Sequence, residues 1–168
     1  MAGITAASVR KIALRLLLAV AALLIGLVSG GQMGLFSSER PADIGVHDGR
    51  LKPAPPTPNC VNSQSTDGYS RIAPLSYAGD GRKALARLHQ IVASLPAAKV
   101  IDSRPDYVYA EFTSRWMGFV DDTEFYLDEK AAVIHVRSAS RLGRKDFGVN
   151  RQRVEAIRTM FARAATPG

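Results

Sequence analysis

Four side chains supply the ingredients of nucleophilic chemistry: a thiol at Cys60, an imidazole at His135 and adjacent carboxylates at Asp121 and Asp122. A thiol beside a base that an acid orients is the general plan of an activated nucleophile. Nothing local ties Cys60 to His135, and the two carboxylates are chain neighbours that strand alternation sends to opposite faces unless a bulge intervenes. Ser138 and Ser140 lie near His135 in sequence, but Ser138 falls on the opposite face of a strand. There is no CxxC, HExxH, Cys/His cluster or glycine-rich phosphate loop, so no metal and no cofactor is implied.

A second kind of chemistry lies in residues 137–158, RSASRLGRKDFGVNRQRVEAIR. Arg137, Arg141, Arg144 and Arg151 stand around Asn150, which reads as the cap of a final helix. Guanidinium groups beside the free amides of a helix N-terminus suit phosphate, sulfate or a lipid head group. Gly143 and Gly148 let the backbone approach such a ligand, and His135 belongs to the same predicted surface. The competing role is internal. Residues 137–163 hold eight basic and two acidic groups, a net of +6, and residues 102–130 hold eight acidic and three basic groups, a net of −5. Adjacent segments of opposite sign in one small chain pair with each other, and an arginine fork suits a carboxylate. Arg137 and Arg141 are accordingly expected near a carboxylate of residues 111–128, with Arg144 free.

These residues need elements to hold them. Leu85, Leu88, Ile91, Val92 and Leu95 recur at helical spacing and predict a helix over 82–95, opened by Asp80-Gly81 and closed by Pro96. Strands are expected over 98–103, 107–113, 118–127 and 132–140, with a tight turn at residues 128–130. Short connections make them antiparallel neighbours. The last helix spans 150–164 with Val154, Ile157 and Phe161 inward. The fold class is therefore α+β, a four-stranded antiparallel sheet with two helices on one face. Alternation turns Val108, Ala110, Phe112, Phe125, Leu127, Ile134 and Val136 toward the helices. It turns Tyr107, Tyr109, Glu111, Glu124, Tyr126, His135 and Arg137 to the other face, which is either open, and then a binding surface, or covered by the segment before it. That segment, residues 37–79, holds Pro41, Pro53, Pro55, Pro56, Pro58 and Pro74 and reads as an extended, partly polyproline approach. Residues 80–168 form the α+β domain.

Residues 16–36 contain no charged side chain, and 21 helical residues at ~1.5 Å each match the ~30 Å of a hydrocarbon core. Arg10, Lys11 and Arg15 precede the run, and Glu39, Arg40, Asp43 and Asp48 follow it. The positive-inside bias leaves residues 1–15 in the cytoplasm and exports the rest. A cleaved signal peptide is the alternative; continuation of the apolar run through residues 33–36 favours an uncleaved anchor. With one cysteine in 168 residues, the exported domain has no internal disulfide and relies on its core.

The ordered motifs PNCVNSQ, EFTSRWMGFVDDTEFYLD, VIHVRSASRLG and DFGVNRQRVEAIR closely resemble the family known as domain of unknown function 1499, and GLFSSERPADIGVHDGRLKP resembles its membrane-anchored bacterial members. The resemblance implies an envelope protein with no assigned chemistry. It also implies that a second cysteine, present in many relatives before the PNC motif, is replaced here by Ala54. Any disulfide across that stretch in relatives has no counterpart in this chain.

Together these features predict an inner-membrane protein with its C-terminal domain in the periplasm. Its expected role is a binding or structural module for an anionic ligand, an anionic lipid or an envelope protein partner. A hydrolase-like enzyme using Cys60, or Asp121 and Asp122, with His135 is the alternative. Nucleic acid is not an expected partner, because the compartment lacks it and the acidic segment interrupts any basic stripe.

Overall fold

A computed structural model describes residues 6–165; residues 1–5 of the predicted cytoplasmic segment and residues 166–168 lie outside it. Eleven elements follow in chain order: α1 (Ala6–Gln32), β1 (Val46–His47), β2 (Arg50–Leu51), β3 (Cys60–Asn62), β4 (Leu75–Ser76), α2 (Gly81–Ala93), β5 (Ala98–Arg104), β6 (Tyr107–Thr113), β7 (Val120–Asp128), β8 (Val133–Ser140) and α3 (Val149–Arg163). Helix α1 is the apolar segment, long and apolar enough to cross a membrane.

The α+β class holds, but the sheet is larger than expected. It has six strands, in the order β3-β8-β7-β6-β5, with β4 also pairing β8, and β1 and β2 form a separate two-stranded ribbon. The four long strands stand where alternation put them. The extra two come from the proline-rich segment: Cys60 pairs with Ala139 and Asn62 with Arg137, while Leu75 pairs with Ile134. Strands of two or three residues are too short to show a period of two, and the prolines around them concealed them.

Asp80 caps α2, its carboxylate accepting from the Lys83 amide at 3.0 Å. Helices α2 and α3 cover one face of the sheet. Leu85, Leu88 and Val92 of α2 and Val154, Ile157 and Phe161 of α3 close over Val108, Ala110, Phe125, Ile134 and Val136. Each of these five strand residues is on the predicted inward face. Burial of such a core, at roughly 25 cal/mol per Å² of apolar surface, is the main stabilising term.

The opposite face is not open. Tyr107 and Tyr109 are each no more than 2% exposed and pack with Leu51 beneath Ile44 and Val46. Residues 38–53 form a strap across this face, which is the covered outcome of the two that alternation allowed. The strap is also fastened by polar bonds. Asn62 Nδ2 donates to the Lys52 carbonyl at 2.9 Å, and the Leu51 amide donates to Gln64 Oε1 at 2.8 Å.

Candidate functional site

The pairing register of the long strands decides which charges meet. Glu111, Asp122 and Glu124 occupy positions of β6 and β7 that share the strap face, and Glu124 lies directly opposite Arg137 on β8. Glu124 is fully buried, an environment a carboxylate tolerates only when its oxygens are satisfied. Its Oε1 accepts from the Gly45 amide of the strap and from Tyr107 Oη, both at 2.8 Å, and its Oε2 accepts from Arg137 Nη1 at 3.2 Å.

One step along the sheet Arg141 makes the denser node. Its Nη2 lies 2.6 Å from Asp122 Oδ1 and 2.5 Å from Glu111 Oε1, and its Nη1 donates to the Ser38 carbonyl at 3.3 Å. Tyr109 Oη donates to the same Asp122 oxygen at 2.5 Å. Arg40 of the strap adds a bond to Glu111 at 2.7 Å. Burial pushes the Glu111 carboxyl up, but the bonds from Arg141 and Arg40 outweigh it and hold the group below its ordinary range. Arg137 and Arg141 thus both pair with carboxylates of residues 111–128, as the segregated charge requires.

Between the strap and the end of β8, Pro41, Lys52, Pro53, Asp122, Arg137 and Arg141 are among the residues that line a cleft of about 320 Å³. That is the low end of the range for small-molecule pockets, ~300–1,000 Å³. Arg137 is the unusual wall residue. It is 5% exposed, yet of the five N–H donors a guanidinium carries the described residues accept one bond, and Nε is enclosed with no partner. Lys52 brings a second cation and is tied at 2.7 Å to Asp43. Alternation had put Tyr109, Glu111 and Glu124 on this face, but Lys52 was not singled out from sequence. The strap run LKPAPPTPNC has no periodicity that would announce which face it lies on.

The remaining predicted ligand residues do not converge there. Asn150 is not the cap of α3: Gly148 is, with φ of 83°, and Asn150 lies inside the first turn, fully buried. Asp146 takes the place expected for an external anion. Its Oδ1 accepts from the Gly148 amide and its Oδ2 from the Asn150 amide, each at 3.0 Å. Burial raises the Asp146 carboxyl, and these amide bonds outweigh it and lower it. The Asn150 side chain links Ser138, Ser140 and the Asn59 carbonyl on the helix side. Arg151 reaches back to the carbonyls of Tyr69 and Arg71. Arg144 is exposed and makes no ion pair or hydrogen bond among the described residues.

The nucleophile set is also dispersed. Cys60 is 1% exposed, and burial pushes its thiol up to about 11. It pairs with Ala139, four residues along β8 from His135, or ~13 Å at ~3.3 Å per residue. Asp121 faces the helices, bonded to Arg153, whereas Asp122 faces the strap. His135 meets a different pair. Ser63 Oγ is 3.1 Å from its Nδ1, and Asp128 Oδ2 is 3.8 Å from its Nε2. Ser63 Oγ already accepts the Val136 amide at 2.9 Å, and 3.8 Å is beyond hydrogen-bond reach. Burial lowers the His135 imidazole, with Asp128 opposing it.

Fold and site together define an α+β module on an apolar N-terminal helix, its second sheet face closed by a strap whose Ser38 carbonyl and Gly45 amide bond to the buried ion pairs of the sheet. A family model described as Protein of unknown function (DUF1499) matches residues 50–161, two thirds of the sequence, and the chain belongs to that family. No curated protein and no solved structure matches it.

Proposed function

We propose that this protein is a membrane-anchored envelope module that binds a small anionic group in the cleft between the strap and β8. The observation that carries this is Arg137, a buried guanidinium with four donors unused by the described residues, on the wall of a cleft that Lys52 and Arg141 also line. A buried cation is stable only when its remaining donors are met. Phosphate or carboxylate oxygens match a guanidinium fork in geometry and charge. The basic flank of residues 10–15 supports a module on the side of the membrane opposite the N-terminus, in a bacterium the periplasm. Packing of the end of α1 against the domain supports a retained anchor, since Gly31 is buried there.

Titration of the full chain in zwitterionic nanodiscs with inorganic phosphate, glycerol phosphate and citrate tests the proposal. The Arg137 Nε–H resonance should shift with one of them, and Lys52→Ala should weaken that binding by roughly tenfold, the worth of a charge-assisted bond. An Nε–H resonance that stays still with all three overturns it.

A further inference from the structure

The loop between β6 and β7 is built onto the end of the apolar helix. Gly31 and Gly118 pack backbone to backbone: a Cβ on Gly118 would lie 2.1 Å from the Gly31 carbonyl oxygen, and one on Gly31 would lie 2.4 Å from that of Met117. Gly118 also has φ of 66°, so residue type and backbone shape both fit this approach. Gln32 donates to the Arg115 carbonyl, and the Phe36 and Phe119 rings stand 5.3 Å apart. The loop is therefore held at a fixed height beside the helix.

Around this contact the apolar side chains point outward. Met33 is 88% exposed, Leu35 70%, Trp116 63% and Phe119 39%. Residues 29–36 and 114–119 include no acidic group, and the Arg115 guanidinium lies 5.1 Å from the centre of the Trp116 ring. Helix length says what covers these side chains. From Arg15 to Gln32 is seventeen residues, about 26 Å at ~1.5 Å each, against ~30 Å of hydrocarbon. With Arg15 at one membrane surface, the other falls just beyond the helix end, at the level of Met33, Leu35 and the loop. In sequence Met33 and Leu35 follow directly on α1, whose apolar window is wholly unburied within the fold.

We propose that the β6–β7 loop is a second membrane contact, with Trp116 seated at the hydrocarbon–headgroup boundary and Arg115 among the lipid phosphates. Tryptophan and a snorkelling arginine are the pair that boundary favours. The helix and loop together then fix the orientation of the domain on the bilayer. This rests on α1 being a retained anchor.

Trp116 is the one tryptophan of the sequence, so its fluorescence is an unmixed probe. The full chain is reconstituted in phosphatidylcholine–phosphatidylglycerol vesicles, and flotation is measured on the same sample. The expected result is a floating protein with blue-shifted Trp116 emission. Lipids brominated near the glycerol end should quench it at least about twofold more than lipids brominated at the chain ends, as a boundary position requires. A protein that floats while Trp116 stays water-like and unquenched overturns the loop contact and leaves the anchor standing. A protein that does not float removes the anchor and this contact together.

Discussion

Arg141 joins two carboxylates, a tyrosine and a strap carbonyl while its side chain is 6% exposed. Replacing it leaves the buried Asp122 carboxylate without its cation and Glu111 with Arg40 alone, a loss on the order of 3 kcal/mol for a broken buried pair. Arg141→Ala should lower the unfolding free energy by about that amount, whereas Arg144→Ala, at an exposed unpaired position, should fall within ~0.5 kcal/mol of the parent. Denaturant titrations of the two variants check this. The same carboxylates set the acid response. Glu111 is depressed below 4.5 and Asp146 below 3.8, so the stability each contributes is complete above those values and is lost as pH falls through the folded-state values. His135 is depressed below 6.5; the unfolded chain takes up its proton first, and stability begins to fall below that pH. The melting temperature should therefore decline in two stages, from about 6.5 and more steeply below about 4.5, and Glu111→Gln should flatten the second. Cys60 carries its own expectation: a buried thiol held at about 11 should react with a disulfide reagent only as fast as the domain opens.

At the scale of elements the strap is the feature that gives the sheet two buried faces. It crosses polar ground, and its bond to the buried Glu124 comes from the Gly45 amide, presented at φ of 129°. No atom lies within 4 Å of a Cβ added there, so Gly45→Ala introduces backbone strain without a clash. The expected cost is ~1 kcal/mol or more. Strap opening should show as faster amide exchange at Gly45 and Leu51, with the core amides of β7 unchanged. If β7 exchange accelerates equally, strap and sheet are one cooperative unit. Helix α3 shows the companion device, an internal carboxylate at its N-terminus, which lets its arginines serve other ends. Arg153 stacks at 4.7 Å over Phe112, and Arg158 holds the Ala73 and Pro74 carbonyls.

For the whole molecule the apolar helix is long enough for attachment to a membrane. Helix α1 exposes Leu16, Leu17, Leu23 and Ile25 to more than half their area, which is stable only in lipid or against a partner. The chain is expected to remain in the membrane fraction after alkaline extraction, with residues beyond 40 open to protease from the outer side only. A soluble product beginning near residue 30 would mean that the segment is cleaved.

Sequence alone determined what depends on local periodicity. The four long strands and two amphipathic helices were legible because side chains repeat every 2 or 3.6 residues, and the placement of Val136 inward and Arg137 outward followed from the same count. Charge segregation between residues 102–130 and 137–163 was enough to pair Arg137 and Arg141 with carboxylates, and an uncharged run of 21 residues was enough to mark the apolar helix. Only the tertiary structure decided what covers the second face, because a proline-rich strap has no period and its partners lie up to 103 residues away in sequence, as Ser38 and Arg141 do. It also moved the cap of α3 from Asn150 to Gly148, since Asp146 folds back to take the free amides. The same non-local packing parted Cys60 from His135 along β8 and brought Lys52 beside Arg137 to form a cleft, whereas the parting of Asp121 from Asp122 already followed from strand alternation.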